Sequence, residues 1–319
     1  MNHRDIPTIY PPLLELVFRG VAAVGGGLGT WRLLLLGCDL LLAWLLVGSL
    51  ARNGSDPRLV VLYLWHPLPV VENIWSAHVE GIAVLLLLWL VVEVCRPRRT
   101  WAGVALGMGT AAKLLPVGFL PFVWRRLGWR PLAMAAGVGA VTVLPFWGTD
   151  VGRAVAGLTR YAETWYFNDV LFRLVGTVLD IDVQDRKLAS TQIVRACLLG
   201  AFGLVCLGVA WRMRDPYRAG LWITGAFVLF TTPLHPWYAL WILPFAIVRG
   251  SRGWLLLSVS VLAAYVVKSD QQYGAWNETW TTRALEFTPP LLLLLWDSTF
   301  RARWGNRPPE PPPPSPSGP

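Results

Sequence analysis

Residues 31–51 read WRLLLLGCDLLLAWLLVGSLA, a run in which Arg32 and Asp39 are the only charged side chains. A helix needs roughly 20 predominantly apolar residues to cross about 30 Å of hydrocarbon. The run therefore predicts a transmembrane helix, and it decides the fold class, an all-α polytopic membrane protein. Further apolar runs predict spans at 59–71, 79–95, 131–147, 188–211, 219–233, 239–248, 253–267 and 287–300, and the apolar stretch 101–124 is interrupted by Lys113 and Pro116.

The composition of the whole chain agrees with a membrane protein. Of its 319 residues, 55% are hydrophobic and 15% are charged, and the mean hydropathy is +0.48. Soluble domains carry about 25% charged residues, so these values exclude a disordered chain and an ordinary cytosolic enzyme. The net charge of +9 does not indicate nucleic-acid binding, because the basic residues lie in short clusters between apolar runs.

These basic clusters orient the predicted helices. The positive-inside rule places them in the cytoplasm, and they are Arg52/Arg58, Arg96/Arg98/Arg99, Arg125/Arg126/Arg130, Arg212/Arg214/Arg218, Arg249/Arg252 and Arg301/Arg303/Arg307. Each segment between two clusters then holds an even number of crossings, so 101–124 is expected to be a hairpin broken near Lys113. We expect a bundle of about 10–11 transmembrane helices in the inner (plasma) membrane, with a cytoplasmic C-terminus.

This topology divides the chain into three parts. Residues 1–30 are expected to form an extracytoplasmic loop and an amphipathic helix that lies on the membrane surface over 12–24. Residues 301–319 are rich in proline and are expected to be a disordered cytoplasmic tail. Between them lies the transmembrane helical domain, 31–300, whose long outer loops are 148–187 and 268–286.

Acidic side chains gather in one predicted outer turn. The segment WHPLPVVENIWSAHVE, residues 65–80, brings Glu72, His78 and Glu80 to the mouth of a helical hairpin that Pro67 and Pro69 break. An acid at such a mouth can bind a metal ion, act as a base, or cap a helix. A second acid, Asp5, lies in DIPTIYPP, which is otherwise a proline-rich turn before the surface helix.

Two cationic or titratable side chains interrupt apolar segments. Lys113 lies inside 101–124, and an intramembrane cation is a functional hypothesis by default, with snorkelling to the interface as the alternative. His235 lies between two prolines and ahead of Trp237 and Tyr238. It can donate a hydrogen bond to a phosphate or a sugar, or belong to the interfacial aromatic belt. The glycine-rich run GVALGMGTAAK lacks the spacing of a phosphate-binding loop, and we interpret its glycines as close helix packing.

Five motifs of this chain resemble the GT-C class of integral-membrane glycosyltransferases, and most closely the bacterial polyprenol-phosphate-mannose-dependent type. They are DIPTIYPPLLELVFR (5–19), LYLWHPLPVVENIWSAHVEGIAVLLLLW (62–89), GVALGMGTAAKLLPVGFLPF (103–122), TWYFNDVLFRL (164–174) and TPLHPWYALWILPF (232–245). The resemblance implies transfer of a mannose-like hexose from a polyprenyl-phosphate donor to a glycan or lipid acceptor at the extracytoplasmic face. Some members use a divalent metal and others do not, so the cofactor stays unknown.

The resemblance also implies roles for particular residues. The donor phosphate is expected at Lys113 and His235, and the catalytic carboxylates are expected among Asp5, Glu72 and Glu80. Substrate contacts are expected from Tyr10, His78, Trp165, Asn168, Trp237 and Tyr238.

Two features depart from the family pattern. Such enzymes carry a catalytic Asp in the first outer loop, just after a first transmembrane helix, and here both are missing ahead of Asp5. We therefore expect an N-terminally truncated chain. Either its start codon is assigned too late, or the chain is a catalytically dead remnant that still binds polyprenyl phosphate. A lipid-linked-sugar transporter or flippase is the alternative from another class, although no internal repeat supports it.

Overall fold

The computed structural model describes residues 8–96, 99–148, 151–183, 189–267 and 278–304. Within these residues the protein is all-α, without a β-strand and with one isolated β-bridge, between Phe167 and Pro233. The described α-helices are α1 (Pro12–Ala23), α2 (Leu28–Arg52), α3 (Val61–Leu64), α4 (Glu80–Val94), α5 (Arg99–Ala112), α6 (Leu120–Leu127), α7 (Arg130–Val143), α8 (Val151–Thr164), α9 (Val170–Val178), α10 (Ala189–Arg212), α11 (Pro216–Phe230), α12 (Leu243–Arg249), α13 (Arg252–Ser260) and α14 (Trp280–Trp304).

Two of the described helices are long and apolar enough to cross a membrane, α2 with 25 residues and α10 with 24. At 1.5 Å per residue each is about 36 Å long, which exceeds the roughly 30 Å of a hydrocarbon core. They coincide with the predicted spans 31–51 and 188–211, and the protein is a membrane protein. Most of the other predicted spans correspond to shorter or broken helices, so the number of 10–11 crossings stays a prediction.

The predicted span 59–71 is broken in the structure, in agreement with the break expected at Pro67 and Pro69. The segment contains the four-residue helix α3, and a π-helical turn (Pro69–Trp75) then follows a break near Pro67. The π-helical turn and α4 are bent by 119° relative to each other. A proline removes a backbone donor and its ring clashes with the preceding turn, so two prolines this close together prevent a straight helix.

The predicted break of 101–124 near Lys113 is confirmed. Helix α5 ends at Ala112, a 3₁₀ segment covers Leu115–Phe119, and α6 follows directly. The backbone N–H of Lys113 still donates to the carbonyl oxygen of Gly109 at 2.9 Å, as the last helical bond of α5. The helix therefore stops at the residue whose charge makes this segment unusual.

Helix α4 lies at the centre of the molecule, and nearly all of its side chains are buried between α2 and α5. Helices α5 and α7 pack closely because α5 presents glycines to α7. A Cβ atom added at Gly103 would lie 2.5 Å from the carbonyl oxygen of Pro131, and one at Gly107 would lie 2.8 Å from that of Ala135. The interpretation of these glycines as close packing is confirmed.

Two predicted regions contain more helix than the sequence indicated. The 148–187 segment carries α8 and α9, and α14 continues to Trp304, so the first four residues of the predicted tail are helical. Residues 305–319 and Asp5 lie outside the described residues. Helix α1 covers the segment predicted to be amphipathic, and its Leu14 is fully buried.

Candidate functional site

The turn that joins the π-helical segment to α4 folds the chain back on itself. Ala77 adopts φ = 59°, a left-handed conformation that is uncommon for a residue with a side chain and concentrates at functional sites. Two side chains of α2 hold this turn, since Trp31 Nε1 donates to Ala77 O at 3.0 Å and Arg32 Nη2 donates to Trp75 O at 2.7 Å. The reversal places His78 against Glu72, with the backbone N–H of His78 donating to Glu72 O at 2.9 Å.

Glu72 and His78 form a hydrogen-bonded pair. His78 Nδ1 lies 3.0 Å from Glu72 Oε2, and the other carboxylate oxygen, Oε1, accepts from the Tyr265 hydroxyl at 2.5 Å. The Glu72 side chain is completely buried, whereas that of His78 is 27% exposed. Of the two residues, His78 is therefore the one that a substrate can reach.

Glu80 and Lys113 form an ion pair between the beginning of α4 and the end of α5. Lys113 Nζ lies 2.8 Å from Glu80 Oε1, and the lysine side chain is 19% exposed. The position of Glu80 in the first turn of α4 also suits the positive end of the helix dipole. The helix dipole and the ion pair with Lys113 therefore both stabilise Glu80 at this position, without a side-chain capping hydrogen bond.

Aromatic rings surround the ammonium group of Lys113. It lies 5.4 Å from the ring centroid of Tyr10 and 5.6 Å from that of Tyr238, within the range of cation–π attraction. The hydroxyls of Tyr238 and Tyr161 are 2.6 Å apart, and the Tyr161 ring contacts Trp165. Burial raises the pKa of Tyr10, so its phenol stays protonated beside the lysine.

A row of four rings, formed by two stacked contacts and one tilted contact, connects His78 with the loop that contains Phe167. Phe167 stacks on His235 at 4.8 Å, His235 on Trp237 at 4.2 Å, and Trp237 contacts His78 at 3.9 Å. The isolated β-bridge fixes one end, because Leu234 N donates to Phe167 O at 2.7 Å. His235 and Lys113 both contact the Tyr238 ring.

Asn168 belongs to a separate buried polar cluster. It adopts φ = 55°, its amide nitrogen donates to Glu286 Oε1, and its backbone N–H donates to Glu278 Oε2 at 3.2 Å. Asp169 pairs with Arg173 at 2.6 Å, and Arg283 contacts both Asp169 and Glu278. Burial raises the pKa of Asp169, and the Arg173 guanidinium opposes this shift. The contacts of Asn168 thus attach the 165–169 loop to α14.

An apolar cavity of about 430 Å³ is lined mainly by residues of α5 and α7. Its wall includes Pro11 and Pro12, which follow Tyr10, and Thr110, Ala111 and Leu114, which flank the lysine. The volume falls within the range of small-molecule sites, about 300–1,000 Å³. The cavity suits an apolar chain, and its wall includes Leu114, the residue that follows Lys113 in the sequence.

The structure brings two groups of predicted site residues together. Lys113, Glu80, Tyr10 and Tyr238 form one, and Glu72, His78, His235 and Trp237 form the other. Trp165 reaches the first through Tyr161, Asn168 lies in the separate cluster, and Asp5 is outside the described residues. In the part of the chain that the structure describes, no three His, Cys, Asp or Glu side chains converge as metal ligands, so a divalent metal finds no ligand set there.

Sequence reasoning missed Tyr265 and Tyr161. Tyr265 is the polar residue of the apolar run VLAAYVV in the predicted span 253–267. A hydroxyl in such a run needs a partner, which is a signal that could have identified it. Tyr161 lies in a segment that we predicted only as a loop, where nothing distinguished it from other aromatic residues.

Comparison with known proteins finds a similar mannosyltransferase and a matching family. A polyprenol-phosphate-mannose-dependent alpha-(1-2)-phosphatidylinositol mannoside mannosyltransferase of Mycobacterium tuberculosis (strain ATCC 25618 / H37Rv) is 28% identical over 290 residues. The match covers 81% of this chain and 65% of that protein, so the chain spans somewhat less than two thirds of its relative. No solved structure matches the chain. The model of Glycosyltransferase family 87 matches residues 8–234, which include Glu72, His78, Glu80 and Lys113. With more than half of its length matched, the chain belongs to Glycosyltransferase family 87.

Proposed function

We propose that this protein transfers a mannose-like hexose from a polyprenyl-phosphate donor to a glycan or lipid acceptor at the extracytoplasmic face of the membrane. The observation that carries the proposal is Lys113, a cation between the rings of Tyr10 and Tyr238, on a segment whose Ala111 and Leu114 line an apolar cavity. A polyprenyl phosphate has the matching chemistry, with an anionic head group and a long apolar chain. Family membership favours transfer over transport of a lipid-linked sugar.

The donor phosphate takes a place at Lys113 Nζ in this proposal. Charge-assisted hydrogen bonds to phosphate are stronger than neutral ones, and the largely buried setting of Lys113 strengthens them further. Glu80 is the resident counterion, and it keeps Lys113 charged and oriented before the donor arrives. The first isoprene units enter the cavity beside Leu114 and Ala111.

Lys113 also assists the chemical step. As the bond between the anomeric carbon and the phosphate oxygen breaks, its electron pair goes to the phosphate, where negative charge grows. A cation fixed at that position stabilises the transition state more than the ground state. The acceptor hydroxyl attacks the opposite face of the sugar, so a single displacement suffices and no covalent intermediate forms.

The name of the mycobacterial relative suggests the class of acceptor. That protein is named for phosphatidylinositol mannoside, and we propose a lipid-linked glycan of the same kind as the acceptor here. Trp165 is partly exposed and provides an aromatic surface for a sugar ring, whereas Trp237, which already packs against His235 and His78, offers its exposed edge. The clusters of Arg on the opposite side of the predicted topology support an extracytoplasmic reaction.

Transfer from a labelled polyprenyl-phosphate mannose tests this proposal. The full chain and its K113A variant are reconstituted in lipid vesicles with a phosphatidylinositol mannoside. We expect K113A to lower kcat by about 10²–10³, the effect of removing one group that stabilises developing charge. The matched control is R125A, which removes a cation of a predicted cytoplasmic cluster that lies over the Trp211 ring. Unchanged transfer by K113A contradicts the role of Lys113.

A further inference from the structure

We propose that His78 Nε2 is the base that takes the proton of the acceptor hydroxyl, and that Glu72 and Tyr265 are positioning residues for it. The inference rests on the proposed function and concerns the same site. It replaces the expectation that a carboxylate of the 65–80 segment accepts this proton directly.

The two carboxylates of this segment, Glu72 and Glu80, are too deeply buried to reach a substrate hydroxyl. Glu72 is completely buried and both of its oxygens are engaged, one by His78 and the other by Tyr265. Glu80 is almost as deeply buried, and its charge is matched by Lys113. Glu72 cannot meet a substrate hydroxyl without losing these partners and the Glu80 side chain is only 2% exposed, whereas the His78 ring is partly exposed.

The hydrogen bond at Nδ1 decides which ring nitrogen is available. Glu72 accepts at Nδ1, so that nitrogen carries the proton of the neutral imidazole and Nε2 keeps its lone pair. Nε2 makes no hydrogen bond to any residue that the structure describes. When Nε2 accepts a proton, the imidazolium that forms is stabilised by the adjacent carboxylate. A base oriented by a buried acid is the usual arrangement of such a group.

The His78 ring is also held in one orientation. Its backbone N–H and its Nδ1 both bind Glu72, and its face lies against Trp237. Tyr265 comes from the 3₁₀ segment Val261–Tyr265, distant along the chain, and fixes the rotation of the Glu72 carboxylate. Two separate elements therefore define the direction of Nε2, which is what a proton transfer in a transition state requires.

Two intervening aromatic residues link the proposed base to the donor site. Only Val79 separates His78 from Glu80, whose partner is Lys113. Contacts also run from His78 to Trp237, from Trp237 to Tyr238, and from Tyr238 to Lys113. A sugar held between His78 and Lys113 would meet the attacking oxygen on one face and the leaving phosphate on the other.

The step balances as a displacement. The acceptor oxygen forms a bond to the anomeric carbon while its proton moves to His78 Nε2. The bond from that carbon to the phosphate oxygen breaks, and the electron pair stays on polyprenyl phosphate beside Lys113. The imidazolium then returns its proton to water, and no oxidant or further reactant takes part.

Chemical rescue separates a proton-accepting role from a structural one. The full chain carrying H78A is assayed for transfer from polyprenyl-phosphate mannose to phosphatidylinositol mannoside, with and without added imidazole. We expect kcat to fall about 10²–10⁴-fold with the KM for donor unchanged, and added imidazole to restore part of the rate. K113A, assayed beside it, is expected to gain nothing from imidazole.

The positioning residues have their own test. E72Q and Y265F are expected to lower kcat at least tenfold and severalfold, respectively, with unchanged KM values, and E72D is expected to recover part of the loss. The control is Y63F, which removes another buried tyrosine–carboxylate hydrogen bond, from Tyr63 to Asp39 at 2.7 Å. We expect it to lower Tm and to leave kcat within about twofold.

Each result decides the inference. Wild-type kcat in H78A, or a loss that imidazole does not restore in a protein of unchanged Tm, overturns it. If H78A does not fold, E72Q decides, and a rise in KM without a fall in kcat overturns the positioning role. If K113A loses transfer and H78A does not, the proposed function stands and His78 is not the base. Wild-type transfer in K113A contradicts the role of that lysine.

Discussion

Replacement of Glu80 by Gln should lower the Tm of the protein and increase the rise in Tm that polyprenyl phosphate produces. The change keeps the size of the side chain and an oxygen that accepts from Lys113, but it removes the negative charge 2.8 Å from the ammonium. Breaking a buried ion pair by removing one charge costs about 3–5 kcal/mol, because the other charge stays buried without a counterion. Since Lys113 is 19% exposed, water offsets part of this loss, and we expect about 3 kcal/mol.

Thermal unfolding in detergent measures the first effect. At roughly 2–4 °C per kcal/mol for chains of 150–250 residues, a loss of this size predicts a fall in Tm of about 5 °C or more. Polyprenyl phosphate then supplies the missing negative charge. Its phosphate no longer competes with Glu80 for Lys113, so at equal ligand concentration the rise in Tm should be larger in E80Q than in the unsubstituted protein.

A matched control lies on the same helix. Glu93 is also buried in α4 and pairs with Arg96 at 2.9 Å, at the opposite end of the helix. E93Q should lower Tm as well, but its response to polyprenyl phosphate should equal that of the unsubstituted protein. An E80Q variant with unchanged Tm, or with no larger response than E93Q, refutes the reasoning that Lys113 is the phosphate site.

Two further substitutions test the packing around the site. G107V should lower the free energy of unfolding by about 1–3 kcal/mol, because its Cβ would lie 2.7 Å from Val138 Cβ and push α5 from α7. The control is G137V, where a Cβ meets open space, and chemical unfolding should show a smaller loss of stability for it. N168A should cost about 2–4 kcal/mol, since it strains a left-handed backbone and leaves the buried Glu286 oxygen without its donor. N168G relieves only the strain, so a Tm equal to that of the unsubstituted protein would contradict the importance of the bond to Glu286.

Sequence patterns predicted the features that depend on neighbouring residues. The run 31–51 is long and apolar, and α2 follows it closely. The break at Lys113 was visible because a charge and a proline interrupt one apolar segment. The prolines of span 59–71 predicted its break, whereas apolar composition does not reveal the π-helical turn that follows the break.

The site itself could be predicted only in part. Glu72, His78 and Glu80 are close in sequence, so their grouping was visible, but which of them is buried was not. The hydrogen bond from Tyr265 to Glu72 joins residues 193 positions apart, and the pairing of Glu80 with Lys113 joins two helices. Such contacts depend on how the helices pack, and no periodicity in one segment encodes them.

Transfer by the unsubstituted chain is the most direct test of the account. The full chain is reconstituted in vesicles with polyprenyl-phosphate mannose labelled in the sugar, and with phosphatidylinositol mannoside. The account predicts that the label moves to the acceptor lipid and that one polyprenyl phosphate is released for each mannose transferred. Donor that is bound, or carried across the bilayer, with its sugar still attached would contradict the central claim.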